Sequence, residues 1–136
     1  MDHVMVPISV GELFDKISIL VIKSDRITDT SKLANVMNEL ELLQKIADDI
    51  LADAPPTLAG LLMELREINE AIWDAENVVR ECDRLGRFDE NFVQTARTTY
   101  GNNDRRASAK RKINMLLGST VMEEKSHDTP PAARRS

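Results

Sequence analysis

A chain of 136 residues, 42 % hydrophobic and 30 % charged, is long enough for one domain with an apolar core, and five glycines and five prolines are too few for a turn-rich β-sandwich. The formal net charge of −5 argues against general adhesion to nucleic acid. Cys82 is the only cysteine, which excludes an internal disulfide and points to a reducing, cytoplasmic setting, and no apolar run approaches the roughly 18 residues needed to span a bilayer.

The chain opens on Val4-Met5-Val6-Pro7-Ile8, an apolar, β-prone stretch expected to lie extended against the helices, because Pro7 keeps a helix from starting much before Ser9. Ser9-Val10-Gly11-Glu12 matches a capping box, with Ser9 accepting from the third helical N–H and Glu12 reaching back to the Ser9 N–H. A first helix is predicted from about Ser9 to Ile27, its inner face Leu13, Phe14, Ile17, Leu20, Val21 and Ser24. The cap and turn residues Thr28-Asp29-Thr30-Ser31 precede the clearest amphipathic helix, marked by Leu33, Val36, Met37, Leu40, Leu43, Ile46, Ala47, Ile50 and Leu51.

Pro55-Pro56 ends that helix and Thr57 is placed to cap a third, whose stripe of Leu61, Leu65, Ile68, Ile72, Ala75, Val79 and Cys82 stops at Gly86. Two long helices on a short Pro-Pro turn predict a central antiparallel hairpin. Asp89 should cap a fourth helix carrying Phe92, Val93, Ala96 and Tyr100, Gly101-Asn102-Asn103 should interrupt it, and a fifth should run from about Asp104 to Leu117. Periodicity ceases at Ser119. The expectation is an all-α antiparallel bundle of about five helices, a single domain over 1–118 with a flexible tail over 119–136.

Charge is unevenly spread. Residues 29–79 hold eleven acids against Lys32, Lys45 and Arg66, whereas residues 80–112 hold nine bases against five acids. Asn69, Trp73, Glu76 and Arg80 are spaced four, three and four and share one direction on the third helix, where Arg80 can take an anion and Trp73 a planar group. Their bland alternative is an edge tryptophan beside an ordinary i,i+4 ion pair. Glu12, Lys16, Ile19, Lys23 and Arg26 share a face of the first helix in the same way, where three cations can meet a phosphate-bearing ligand or pack against the acidic hairpin. The densest candidate is Asn103, Arg105, Arg106 and Lys110, with Asn114: at the start of a helix, free amides and guanidinium forks favour phosphate or carboxylate, and Arg97 lies just upstream.

Metal and nucleophilic chemistry find no ligand-spaced motif, since His3 and His127 lie in terminal segments; no cofactor and no metal is expected. Glu64-x-x-Glu67-x-x-Glu70 invites comparison with all-α nucleotide pyrophosphatases, but Glu12-x-x-Asp15 precedes it where that pattern requires a later helix. The strings VPISVGELFDKISILVIKSDRI, KLANVMNELELL, INEAIWDAENVVRECDRLGRF and ARTTYGNNDRRASAKRKINMLLGS, ending in EEKS, together resemble a family of short bacterial and phage proteins known only as a domain of unknown function, over roughly residues 4–126. The resemblance implies a helical, cytosolic protein and carries no catalytic residue across.

The reading that follows is a small helical protein binding an anionic small molecule, such as a nucleotide, a cyclic nucleotide signal or a phosphosugar, through Arg80, Arg97, Arg105, Arg106 and Lys110. Two alternatives stand beside it. One is a homo-oligomeric interaction protein in which acidic and basic faces pair between subunits; the other is an enzyme of nucleotide or sugar metabolism with Glu76 or Glu12 as general base. None of the three involves a membrane.

Overall fold

The computed structural model describes residues 2–125. Four helices follow one another: α1 (Val10–Arg26), α2 (Thr30–Ala52), α3 (Thr57–Leu85) and α4 (Glu90–Leu117), and among the described residues there is no strand. None of the helices is long and apolar enough to cross a membrane.

Local chemistry sets most of the boundaries. Asp29 and Asp89 accept from the backbone N–H groups of Lys32 and Phe92, and Ser9 Oγ accepts from that of Glu12 at 3.0 Å, so three helices start where their cap residues stand. α3 differs. Pro56 occupies its cap position with no side-chain hydrogen bond, and Thr57 is already helical. The capping box at Ser9 is only half formed, because the Glu12 carboxylate turns outward to Lys110 and Lys16 rather than back to the Ser9 N–H. Gly86 ends α3 at φ 66° with the Arg87 N–H donating to Cys82 O at 2.8 Å, a left-handed closure that a side chain would strain.

Two expectations about the helices need correction. First, Gly101-Asn102-Asn103 does not divide α4, which runs unbroken through it. Asn102 and Asn103 accept from Arg105 and Arg106 one turn on instead of competing for the backbone, and the inner face of α4 packs on α1 and α3, which offsets a glycine cost of about 1 kcal/mol. Second, α2 and α3 are not a closely packed hairpin: among the described residues no α2 Cα lies within 8 Å of an α3 Cα. The closely packed antiparallel pair is α3 with α4, and α1 wedges between that pair and α2.

That wedge explains the core. Leu13, Phe14 and Ile17 of α1 pack with Ala47 of α2, Leu58, Leu65 and Ile68 of α3, and Ala109 and Ile113 of α4 in one cluster. Burying each of the larger aliphatic side chains contributes about 1.5–3 kcal/mol. Ile22, 1 % exposed, is an inward residue absent from the predicted stripe of the first helix. The opening segment behaves unlike its expectation: Val4, Met5 and Val6 are 71 %, 81 % and 67 % exposed and do not lie against the helices.

Candidate functional site

A helical bundle of this size has little reason to bury polar side chains unless they are paired. Here Ser9, Asp15, Asn69 and Asn114 are all buried, and they meet where α1 crosses α3 and α4. Gly11 makes the crossing possible. A Cβ there would stand 2.5 Å from Lys110 O and 2.9 Å from Asn114 Oδ1, so only glycine allows α1 this close to α4. The Gly11 N–H donates to Asn114 Oδ1 at 2.6 Å and the Val10 N–H to Ser119 Oγ at 3.2 Å, which with Ser9 ties down the first amides of α1.

Lys110 stands at the centre. Its ammonium donates to Glu12, lies 3.9 Å from Asp15 Oδ2 and 3.7 Å from Glu123 Oε1, and is largely covered. Asp15 in turn accepts from Asn69 Nδ2 at 2.9 Å, and the same amide donates to Ser18 Oγ at 3.2 Å. Asn69 Oδ1 is buried with no hydrogen-bond partner among the described residues.

Residues 119–125 form a strap over this centre. Ser9 Oγ donates to Glu123 Oε1 at 2.7 Å, Arg111 pairs with Glu124 at 3.2 Å, and Lys125 pairs with Asp104. Between strap and α4 is a cavity of about 160 Å³ lined by Ala107, Lys110, Arg111, Asn114, Glu123, Glu124 and Lys125. The remainder of the expected tail, 126–136, lies outside the described residues.

Of the residues predicted to hold a ligand, the structure brings Asn69 and Lys110 together on Asp15. Asn103 and Arg106 share the same inward face of α4 and bond each other at 2.9 Å; lying mid-helix, they have no free amides beside them. Arg97 and Arg105 are exposed, and Arg105 donates to Asn102. Glu76 and Arg80 form the exposed i,i+4 pair of the bland alternative, 2.7 Å apart. Arg80 borders a solvent-facing depression of about 480 Å³ with Val79, Asp83, Arg84 and Phe92, and Trp73 does not line it. On α1, Arg26 pairs with Asp74 of α3, while Asp25 accepts from Arg66, whose guanidinium is held above its ordinary pKa mainly by its hydrogen bond to Glu70.

Ser9, Asp15, Arg111 and Glu123 are not among the residues predicted for a site, and most carry a sequence signal that reads as helix boundary or packing alone. Among the described residues no three His, Cys, Asp or Glu side chains converge as they would to hold a metal ion. Glu12 and Asp15 instead enclose the Lys110 ammonium. A family model described as a family of unknown function (DUF6165) matches residues 4–135, and so takes in both the opening segment and the strap. No curated protein and no solved structure matches the chain.

Proposed function

We propose that the chain, which belongs to DUF6165, a family of unknown function, binds an anionic small molecule of the phosphorylated class where the strap now closes over Ser9, Lys110 and Arg111. The observation that carries this reading is the seat of Glu123 on Ser9 Oγ at 2.7 Å and near Lys110 Nζ at 3.7 Å, with Glu124 on Arg111. Two successive carboxylates thus stand on two successive bases of α4. A ligand with two neighbouring anionic groups, such as a diphosphate, reproduces that pattern.

Charge counting says how such a ligand enters. Glu12 and Asp15 already lie on Lys110, so an anion added beside Glu123 would meet a surplus of carboxylates. A diphosphate that displaces both Glu123 and Glu124 substitutes its charge for theirs instead of adding to that surplus. Room points the same way, because about 160 Å³ is well under the roughly 300 Å³ at which small-molecule pockets begin, so a whole nucleotide or phosphosugar requires the strap to lift.

Thermal melts test this, since a ligand that binds only the folded chain raises its Tm. Pyrophosphate should raise the Tm of the natural chain and raise that of the Glu123→Gln/Glu124→Gln variant further, while Arg111→Ala should reduce the gain. The absence of any shift with pyrophosphate, nucleoside triphosphates or hexose phosphates in both natural chain and double variant would remove the reading.

A further inference from the structure

Asn69 is buried in α3 at a cost that the stability of the bundle does not explain. It is 3 % exposed, and its Nδ2 donates to Asp15 Oδ1 at 2.9 Å and to Ser18 Oγ at 3.2 Å, yet its Oδ1 is buried with no partner among the described residues. An acceptor left unpaired in the interior is destabilising, and an aliphatic side chain of similar size carries no such penalty. Turning the amide over is no remedy, because its carbonyl oxygen would then face the Asp15 carboxylate. What the asparagine supplies is therefore its N–H donors, directed at a carboxylate of α1 that is itself buried.

That carboxylate stands between Asn69 and Lys110. Its Oδ1 accepts from Asn69, while its Oδ2 lies 3.9 Å from Lys110 Nζ, about 1 Å beyond a hydrogen bond. An ammonium has three donors, and among the described residues that of Lys110 makes one hydrogen bond, to Glu12, with Glu123 Oε1 at 3.7 Å. We propose that Asn69 is a positioning residue for the anion site: by pinning Asp15 it keeps that carboxylate from closing on Lys110, and so leaves donors of the ammonium to a ligand that displaces Glu123. The inference rests on the anion reading above. Released from Asn69, Asp15 needs to move only about 1 Å to bond Lys110, and the ammonium is then shared between two carboxylates before a ligand arrives.

Calorimetric titration of pyrophosphate into the full natural chain and into Asn69→Leu tests this. Leucine keeps the volume and removes the orphaned oxygen, so the variant should retain helical circular dichroism and a cooperative melt. Its pyrophosphate Kd should be about tenfold higher, the scale of one hydrogen bond to a charged group. Adding Asp15→Asn removes the competing charge and should restore the natural Kd, a rescue that a role in packing alone does not give. Asn69→Ala removes the same donors and replaces Asn69→Leu in the test if leucine unfolds the chain. An unchanged Kd in the position-69 variant, or a loss that Asp15→Asn leaves in place, would overturn the inference and leave the anion reading standing. Pyrophosphate that binds neither the natural chain nor Glu123→Gln/Glu124→Gln would remove both.

Discussion

Gly11 and Asn114 form one lock, and each is replaceable only at a cost. Gly11→Ala forces a Cβ onto the Lys110 carbonyl, which is backbone and cannot swing aside, so we expect a loss of about 1–3 kcal/mol in chemical denaturation. Asn114→Ala leaves the Gly11 N–H buried without its acceptor and should cost a similar ~1–3 kcal/mol. If Gly11→Ala is neutral, α1 and α4 do not cross as closely as described. Neither role is legible in the sequence. Gly11 sits inside a capping-box string that accounts for it, and Asn114 shares a face with Lys110 that reads as a ligand surface, because partners about a hundred positions apart leave no periodic trace. Lys110 and Asn69 are legible as polar residues in unusual positions; that a buried carboxylate, Asp15, joins them is not.

At the scale of the helix, cap chemistry is the most readable feature and glycine the most misleading. Asp89 caps where its sequence predicts, Asp29 is the member of the Thr28–Ser31 cluster that caps α2, and Gly86 and Gly118 end helices at positive φ. Gly101 is the same residue type without a positive φ, and a Cβ added to it would meet no atom within 4 Å, so Gly101→Ala should stabilise α4 by about 0.5–1 kcal/mol. A break at that point would make the substitution destabilising instead. The Asp29 cap also predicts a pH dependence. The Lys32 N–H, with help from Ser31, holds the Asp29 carboxylate below its usual range, so the folded chain releases this proton more readily than the unfolded one. Its contribution is complete above about pH 4, the ordinary carboxylate range, and is lost as pH falls through the lower folded value. Denaturation of the natural chain and Asp29→Ala should therefore differ at pH 6 and converge at strongly acid pH; a gap independent of pH would separate the cap from the carboxylate's charge.

At the scale of the whole molecule, the all-helical class and the single core follow from apolar spacing, but the arrangement of helices does not. A short Pro-Pro turn predicts that α2 and α3 lie together, and only the tertiary choice of α1 as the central wedge parts them. The charge asymmetry is equally visible and equally incomplete. Bases of the basic segment pair with acids outside the acidic one, as Lys110 does with Glu12 and Arg111 with Glu124, and the proposed anion site lies at the strap, whose aperiodic residues give no reason to expect contact. The most direct test of that placement is a pyrophosphate titration of the full, isotopically labelled chain followed by backbone amide NMR. The largest shifts should fall on Ser9, Val10, Lys110, Arg111, Asn114 and residues 119–125, with Arg80 and Arg97 unmoved; shifts centred on Arg80 and Arg84, or none at saturating pyrophosphate, would contradict a strap-covered anion site.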